Sequence, residues 1–583
     1  MKKTINILLC FAIALNAMAQ ERTDAEMRTI ALQKLVNTQS VKSIGGSASQ
    51  SPTPTINCTL SRKAFNIYTP QDEPGFVIVA RNSRIPAVLA YGDSELKADN
   101  IPTDMQWWMQ LVEENLNADA PVIGRAKAFS NKVVPNFITT EWSQEAPYNQ
   151  KTPTIKGSHA PVGCVATAMA QAMNVFKYPA SANFTETYYV TDGETSQKTA
   201  KVSSTYSWDY KDTYSANAII QGKKIAQLMV DCGYAAMMDY ASSGSGTYNF
   251  VAGRALVQHF KYPEECVKTM DRSNSTDAEW FSTIYSELEK KSPIVMGGAD
   301  EKFGGHAFVL SGVDADGLVY TNWGWAGAGN GFYAIDLMNS PQGSFTHSQD
   351  IVYGIRVSPR ADDHVEGRIT GYSGSPYTFR FGIETDDNGV KRNTLYADLP
   401  YGYINYNASE FQGAFGLFAQ DLTDGTYWVI APELQDRDTI PSCYGLAGSS
   451  EQYKEFYYYY YIDGEKGLKP GHTYRMSFGV KDNRDIRWRS ILCDGGEVAY
   501  DVTYTGDINT STIDPERKDV ALPTAVRSIT GTETNKHNST TRVYDLQGRL
   551  IHTSPTAQFN LWEVPARGTL IVKQGDKVRK VVK

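Results

Sequence analysis

The residue in the most reactive setting of this sequence is a cysteine, Cys164. It follows Gly163 and precedes small helix-forming residues in the stretch PVGCVATAMAQ at 161–171, so the pattern predicts that it lies at a helix N-terminus. The N–H groups and the dipole at such a helix end favour the thiolate over the thiol. A thiolate is the nucleophile of acyl transfer. Taken alone, a Gly-Cys pair before a helix fits a buried structural cysteine at least as well.

A second segment carries a histidine that could act as the base for this cysteine. His306 follows a glycine pair and opens a predicted strand in GGHAFVLSGV at 304–313, and NWGW follows at 322–325. A turn at 314–317 and a return strand at 318–321 would bring Asn322 beside His306. Its amide oxygen could then accept from Nδ1–H, leaving Nε2 for the thiol, while the tryptophans shield that bond from water. A lone histidine is usually a core residue, but cysteine first, with histidine and asparagine far downstream, is the order of papain-like hydrolases.

The other cysteines argue against a metal site and against a disulfide scaffold. The sequence contains no CxxC pair, whereas zinc sites need paired spacing and disulfide-stabilised domains are far richer in cysteine. No metal and no cofactor is therefore predicted. Cys443 and Cys493 could form a bridge, and the sequence leaves that pairing open. Outside the N-terminal apolar stretch, the cysteines are Cys58, Cys164, Cys232, Cys266, Cys443 and Cys493.

Length and composition limit the class of protein. The 583 residues are too many for one core and suggest about four domains at roughly 150 residues each. A hydrophobic fraction of 41% and a charged fraction of 21% are typical of globular chains. The 56 basic and 64 acidic residues give a net charge of −8 without a long basic run, so no nucleic-acid partner is expected.

The N-terminus predicts export. Lys2 and Lys3 precede a short apolar stretch at 5–15, and Ala-Met-Ala at 17–19 fits the small-x-small cleavage rule. Residues 1–19 are therefore predicted to be a signal peptide. The apolar stretch is too short to span a bilayer, and no later stretch reaches about 18 apolar residues. We expect a secreted or cell-surface-attached protein.

The next region, 20–132, reads as a small α+β unit. Its predicted elements are helices at 25–37 and 105–116, strands at 65–68, 75–80 and 87–90, and a polar linker at 43–55. Arg125, Lys127 and Lys132 then lie in a segment without a periodic pattern. Exposed basic segments of this kind are readily cut by processing proteases.

Three further regions follow. Residues 133–360 contain both reactive segments. Residues 365–515 alternate apolar and polar residues in short runs between turns, as at 378–383 and 473–478, which predicts a β-sandwich-like domain without evident chemistry. A polar stretch at 506–519 leads to a last small β-unit at 525–583.

These motifs together resemble the streptopain family of secreted cysteine peptidases, which includes interpain-like enzymes. The resemblance covers roughly 20–360 and implies an α+β fold: a papain-like peptidase domain preceded by an inhibitory prodomain, to which GFVIV at 75–79 and the helix with Trp107 and Trp108 are similar. It implies an endopeptidase made as a zymogen, inhibited by its own prodomain, acting on extracellular or host proteins and monomeric after processing. The further motifs that carry it are WSQEAPYN at 142–149, MDY at 238–240 and SSGS at 242–245.

The resemblance assigns roles to matching positions. Cys164 matches the nucleophile and His306 the general base. Gln144 matches the glutamine that, with the Cys164 N–H, binds the oxyanion. Asn322 or Trp323 matches the residue that supports the histidine.

The resemblance also locates the substrate cleft. Ser245 and Gly305 match positions at which backbone groups hold an extended peptide. The sequence departs from some relatives at 296–298, where Met-Gly-Gly lacks a polar side chain, so the specificity of the cleft stays open.

The last unit resembles a different family, the type IX secretion sorting domain. The resemblance rests on VYDLQGR at 543–549, GTLIVK at 568–573 and the basic C-terminus at 578–583. It implies that the export machinery is a partner of this unit.

Two other functions stay open. In one, the protein is a surface adhesin whose β-domains bind a host or matrix ligand. In the other, it is a transglutaminase-like acyl transferase, which shares cysteine and histidine but normally pairs the histidine with aspartate. Asn322 argues against the second.

Overall fold

A computed structural model shows two compact units. The first is Met1–Tyr262 with Asp277–Val357, and the second is Pro263–Thr276 with Ser358–Lys583. No helix of the described residues is long and apolar enough to cross a membrane. The predicted signal peptide and Arg125 lie outside the described residues, which are 21–42, 54–99, 101–116, 126–300, 304–338, 349–371, 377–399, 403–430, 439–443, 456–463, 467–485, 488–493, 496–518, 528–529, 540–544, 550–555, 569–574 and 577–582.

The first unit begins with two helices and an antiparallel meander, as the pattern at 20–132 predicts. The first helix is longer than predicted and starts with a capping box: the Thr23 N–H donates to the Glu26 carboxylate over 2.7 Å, and the Glu26 N–H donates to Thr23 Oγ1. The elements are α1 (Asp24–Lys42), β1 (Ile56–Ser61), β2 (Phe65–Pro70), β3 (Phe76–Ala80), β4 (Val88–Gly92) and α2 (Thr103–Leu116).

The rest of the first unit mixes helices with strands. A short 3-10 helix, Ala126–Phe129, precedes it. Its elements are β5 (Thr154–Ile155), β6 (Ser158–His159), α3 (Cys164–Phe176), β7 (Ser181–Asp192), β8 (Glu194–Thr205), α4 (Ile219–Ala235), β9 (Asp239–Ala241), α5 (Asn249–Gln258), α6 (Asp277–Glu289), β11 (Ile294–Asp300), β12 (Gly304–Val313), β13 (Val319–Asn322), β14 (Gly331–Tyr333) and β15 (Gln349–Tyr353). The strand between α5 and α6 in the chain, β10 (Lys268–Asp271), belongs to the second unit.

One antiparallel sheet of the first unit joins the strands of the N-terminal region, β1 to β4, to strands β11 to β15. Its strand order is β1-β2-β3-β4-β14-β13-β12-β11-β15. The junction is the pairing of β4 with β14, in which Tyr91 lies opposite Phe332. Residues 307–313 of β12 are all buried, as expected for a central strand covered on both faces. Helices α3 and α6 pack against this strand.

In the described part of the second unit, the elements are strands apart from one short 3-10 helix, Arg272–Asn274. Its strand orders are β19-β16-β25-β26, β17-β18-β22, β28-β27-β23-β20-β21-β29 and β31-β30-β32-β33, and β24 pairs with β23. Its strands are β16 (Thr370–Gly371), β17 (Thr378–Thr385), β18 (Lys391–Leu399), β19 (Tyr403–Ile404), β20 (Gly413–Asp421), β21 (Tyr427–Ile430), β22 (Phe456–Tyr461), β23 (His472–Asp482), β24 (Arg489–Ser490), β25 (Leu492–Cys493), β26 (Gly496–Glu497), β27 (Tyr500–Tyr504), β28 (Thr512–Ile513), β29 (Ser528–Ile529), β30 (Thr540–Tyr544), β31 (Leu550–Pro555), β32 (Thr569–Gln574) and β33 (Lys577–Val582).

Candidate active site

Cys164 is the first residue of α3, as its sequence setting predicts. Gly163 before it has a φ of 92°, a left-handed conformation that favours glycine. A Cβ at Gly163 would also lie 2.6 Å from Met238 Cε. A helix supplies no acceptors for the N–H groups of its first turn, so positive partial charge collects there. The half-buried Cys164 thiol therefore lies where a thiolate is favoured.

The segment that carries Gln144 runs beside the cysteine. The Val162 N–H donates to the Gln144 carbonyl over 2.9 Å, and the Ala326 N–H donates to the Trp142 carbonyl over 3.4 Å. Gln144 itself is half-buried. The structure thus brings this residue to the chain just before Cys164, where a side-chain donor could reach an oxyanion on the substrate.

His306 lies in β12, directly opposite Gly298 of β11. Its Nε2 is 3.0 Å from the main-chain carbonyl oxygen of Trp323. A carbonyl only accepts hydrogen bonds, so Nε2 carries the proton in this contact. The ring nitrogen that is not engaged by this carbonyl is Nδ1. The rings of Phe308 and Trp325 lie beside the imidazole, with centroids 6.5 and 6.1 Å away.

Asn322 does not take the place predicted for it. Its Nδ2 donates to the Thr140 carbonyl over 2.6 Å and to Gln171 Oε1 over 3.1 Å, and its Oδ1 accepts from the Gly324 N–H. The predicted bond to Nδ1–H of His306 is replaced by the Nε2 contact with Trp323. The reason is register: Asn322 pairs with Val309, and Val309 points to the opposite face of the strand from His306.

The two faces of β12 therefore have different neighbours. Asn322 bonds to Gln171 of α3, so its cross-strand partner Val309 lies on the face toward that helix. His306 and Phe308 lie on the other face. There the ring of Trp107 from α2 lies 6.5 Å from the Phe308 ring, and a Cβ at Gly298 would lie 2.7 Å from Trp107 Cη2. The N-terminal region thus packs on the His306 side of the sheet.

The two predicted cleft residues lie close to the chain just before Cys164 and to His306, respectively. Ser245 Oγ donates to the Pro161 carbonyl over 2.7 Å, and a Cβ at Gly163 would lie 3.2 Å from the Ser245 carbonyl oxygen. Gly305 is exposed and precedes His306. Among the described residues, the atom nearest to a Cβ at Gly305 would be Ala299 Cβ at 3.9 Å, so this backbone is open to contact.

Comparisons with known proteins agree with this arrangement. Residues 22–116 match the model of the Spi protease inhibitor family, and residues 142–333 match that of the Peptidase C10 family. Streptopain of Streptococcus pyogenes serotype M28 is 29% identical over 368 residues, which cover 58% of this chain and 92% of streptopain. The thiol protease/hemagglutinin PrtT of Porphyromonas gingivalis is 29% identical over 320 residues, which cover 50% of this chain and 37% of PrtT.

Two solved structures from Prevotella intermedia are also similar. A mutant prointerpain A fragment is 30% identical with a TM-score of 0.47, covering 52% of this chain and 100% of the fragment. The active wild-type interpain A cysteine protease is 36% identical with a TM-score of 0.35, covering 39% of this chain and 96% of interpain A. Residues 142–333 thus form a peptidase C10 domain. The protein is a cysteine peptidase with the papain-like α+β fold and an N-terminal region like a protease inhibitor.

Two other thiols of this C10 peptidase lie in settings that disfavour reactivity. Burial, and then the charge of Asp231, raise the pKa of the Cys232 thiol well above its usual value. Cys266 is buried, 3.6 Å from Asp363 Oδ2. Cys443 and Cys493, for which a bridge was left open, remain thiols. No metal-binding cluster of His, Cys, Asp or Glu occurs within the described ranges.

The sequence motifs missed two residues around the C10 site. Gln171 appears in the motif only as the end of a run of helix formers, yet it is buried and bonded to Asn322. Its spacing of seven from Cys164, two helical turns on the same face, is the signal that could have found it. Trp107 was placed in a prodomain helix, but its contact over Gly298 depends on pairing between distant strands.

Proposed function

We propose that this C10 peptidase is a secreted endopeptidase made as a zymogen, in which the N-terminal region restrains the catalytic histidine until it is removed. The observation that carries the proposal is the packing of Trp107 on Gly298 and Phe308, on the strand pair that holds His306. In this proposal the indole ring, packed against the strand pair, fixes the backbone that carries His306. The matched inhibitor family supports the same role for residues 22–116.

The catalytic steps follow from the chemistry of the site residues. The Cys164 thiolate attacks the carbonyl carbon of the scissile peptide bond, and the oxyanion is bound by the Cys164 N–H and Gln144. The His306 imidazolium gives its proton to the leaving amine as the C–N bond breaks, which leaves a thioester on Cys164. His306 then removes a proton from water, which attacks the thioester and releases the carboxylic acid and the thiolate.

The support of His306 favours hydrolysis over the transglutaminase-like alternative. An acyl transferase of that class normally pairs its histidine with an aspartate, whereas the contact here is with the Trp323 carbonyl. A carbonyl orients the ring without adding a full negative charge. We therefore propose water as the acceptor of the acyl group.

Processing is proposed to occur between Arg125 and Lys132. The described part of this segment is held by packing: the Phe129 ring lies 5.9 Å from the Phe281 ring of α6, and Lys132 lies 3.4 Å from Glu289. A protease must release this 3-10 helix before it can cut inside it. The cut would separate α2, and with it Trp107, from the chain that carries Cys164.

Export is proposed to use both ends of the chain. The predicted signal peptide at 1–19 would direct the first step, and the last unit would act as a type IX sorting domain recognised by the export machinery. The support for the second step is that β30 to β33 pair in the order β31-β30-β32-β33, a sheet of their own, as a detachable unit requires. The processed enzyme is proposed to be a monomer that acts on extracellular or host proteins.

The proposal is tested with the purified full-length chain and casein. Before cleavage at 125–132, hydrolysis should be slow; after removal of the N-terminal region it should rise and be blocked by the thiol-directed inhibitor E-64. Full activity in a stable, uncut chain would contradict latency. Activity that E-64 leaves untouched would contradict the role of Cys164.

A further inference from the structure

We infer that Gln171 is a positioning residue of the active site, whose one buried amide joins three segments: the helix of Cys164, the segment that leads to Gln144, and the segment whose Trp323 carbonyl contacts His306. The inference rests on the proposed roles of Cys164 and His306. Gln171 lies on α3, two turns after Cys164, and is 1% exposed. The hydrogen bonds of its side chain go to Thr140, Trp142 and Asn322, so its proposed effect on catalysis runs through the groups that it holds.

The carbonyl oxygen of this amide accepts three hydrogen bonds. Thr140 Oγ1 donates to Gln171 Oε1 over 2.9 Å, the Trp142 N–H over 3.3 Å, and Asn322 Nδ2 over 3.1 Å. Thr140 and Trp142 begin the segment that leads to Gln144. The same oxygen therefore fixes the oxyanion segment and the end of β13 against the helix of the nucleophile.

The amide nitrogen completes a reciprocal pair. Gln171 Nε2 donates to Asn322 Oδ1 over 3.3 Å, and Oδ1 also accepts from the Gly324 N–H over 3.1 Å. Asn322 and Gly324 flank Trp323, the residue whose carbonyl contacts His306 Nε2. The Asn322 side chain, which Gln171 holds in place, therefore fixes the backbone on both sides of Trp323 and with it the direction of the Trp323 carbonyl.

The pattern requires a side chain that both accepts and donates at this position, as an amide does. A carboxylate would accept the three bonds but would turn a second oxygen toward Asn322 Oδ1, where two acceptors repel each other. A thioether of equal length would leave buried donors without partners, and such groups are costly. A protonated carboxylic acid, by contrast, has one acceptor and one donor and reproduces the amide.

This difference provides a test that a purely structural role would not pass. We would compare kcat and KM on a peptide substrate, after proteolytic activation of the full chain, for Gln171→Glu and Gln171→Met between pH 5 and pH 8. The matched control is Gln227→Glu, because Gln227 of α4 also donates to an oxygen, Asp231 Oδ1, but lies outside the three segments. Folding is followed by the thermal midpoint of each variant.

The expected result is selective. Gln171→Met should lower kcat by about tenfold or more with KM within about twofold, since the residue orients groups that act in the transition state. For Gln171→Glu, the ratio of its kcat to that of the wild type should rise several-fold as the pH falls and the carboxylate takes up a proton. Gln227→Glu should lower the thermal midpoint while its kcat ratio stays flat with pH.

Three outcomes would overturn the inference: kcat of Gln171→Met within about twofold of the wild type, a pH-independent ratio for Gln171→Glu, or losses that match the unfolded fraction. If Gln171→Met does not fold, Thr140→Val decides, because it removes one of the three donors and should lower kcat with little change in KM. A wild-type chain without peptidase activity would refute the proposed function instead, so the two failures are distinguishable.

Discussion

Trp107 of α2 lies against Gly298, the residue of β11 that pairs directly with His306 of β12. Any side chain at Gly298 would collide with the indole, since a Cβ would come within 2.7 Å of Cη2. The inhibitor-like region and His306, the proposed base, thus meet on two paired strands of one sheet. The proposed latency rests on contacts with the sheet that carries His306.

The first prediction concerns this contact. Trp107→Ala should raise the initial rate of peptide hydrolysis by the uncut chain several-fold, because the strand pair under the indole gains freedom to move. The substitution should also destabilise the chain by about 3–5 kcal/mol, as large-to-small core changes do. Initial rates are measured before any cut product is visible by electrophoresis.

Trp108→Ala is its matched control. Trp108 is equally buried, but its ring packs on Tyr333, 4.9 Å away, and its Nε1 donates to the Ala334 carbonyl. A similar loss of stability without a rise in activity is expected. Equal activation by both variants would show that general loosening of the N-terminal region, and not the contact at Gly298, releases the enzyme.

The second prediction concerns the nucleophile. Cys164→Ala should lower hydrolysis and self-processing by at least about a thousandfold, because the catalytic groups act as a unit. Cys232→Ala is the control: this thiol is buried in α4 with its pKa raised by burial, so activity should persist. Activity near the wild-type level in Cys164→Ala would contradict the assignment of Cys164 as the nucleophile.

The third prediction concerns the base. His306→Ala should abolish hydrolysis and make Cys164 slower to react with iodoacetamide at neutral pH, because the imidazolium that stabilises the thiolate is gone. Mass spectrometry of the alkylated peptide gives the rate. His472→Ala removes a histidine of β23 in the second unit, far in sequence from both segments, and should alkylate at the wild-type rate. Equal rates for His306→Ala and the wild type would count against an ion pair.

How far the sequence alone leads is clear from the groups around His306. The start of α3 is a local feature, since a glycine followed by small helix formers suffices to predict it. The partner of His306 is not local. The observed pair Val309–Asn322, counted along the hairpin, places His306 opposite residue 325. Asn322 is three residues from that position, and because side chains alternate between the faces of a strand, Asn322 lies on the face opposite to His306. Which residue supports the imidazole therefore depends on strand register.

The contact of Trp107 could not be read from sequence for a related reason. The sequence shows a tryptophan on an amphipathic helix and a glycine at the end of Met-Gly-Gly at 296–298, each with many possible partners. Their contact depends on β4 joining β14 and so extending one sheet across both regions. Pairing between strands about 240 residues apart leaves no periodic signal in either segment.

The fourth prediction concerns stability in acid. Glu186 is largely buried, which raises its pKa, but hydrogen bonds from His259 and from the Thr187 N–H, with the charge of Arg254, outweigh burial and lower the pKa to about 2. A carboxyl with a lowered pKa in the folded state stabilises the protein above its unfolded value near 4.5 and loses that contribution as the pH falls toward 2.

The measurement is the thermal midpoint between pH 6 and pH 2 for the wild type and for Glu186→Gln. The wild type should lose stability through this window, by at most about 3 kcal/mol from this group before solvent screening reduces it. The thermal midpoint of Glu186→Gln should be lower than that of the wild type at pH 6 and should fall less steeply toward pH 2. Glu194→Gln, at the exposed turn between β7 and β8, should follow the wild type. Thermal midpoints that fall in parallel for Glu186→Gln and the wild type would contradict the role of the interactions of Glu186 with Arg254 and His259.

The last prediction concerns the C-terminus, where the strand pairing sharpens the design of a deletion. β29, at Ser528–Ile529, pairs in parallel with β21 of the preceding domain, so a deletion should begin at residue 530 to leave that sheet whole. The residues beyond it include β30, which pairs with β31 and β32, and β32, which pairs with β33.

Deletion from 530 onward should therefore leave casein hydrolysis by the activated enzyme unchanged, while the chain accumulates inside the cell envelope instead of reaching the surface or the medium. Cell fractionation and a protease assay on each fraction measure both effects. Unchanged appearance of the truncated chain outside the cell would remove the sorting role, and loss of catalysis would show that these strands are needed by the peptidase itself.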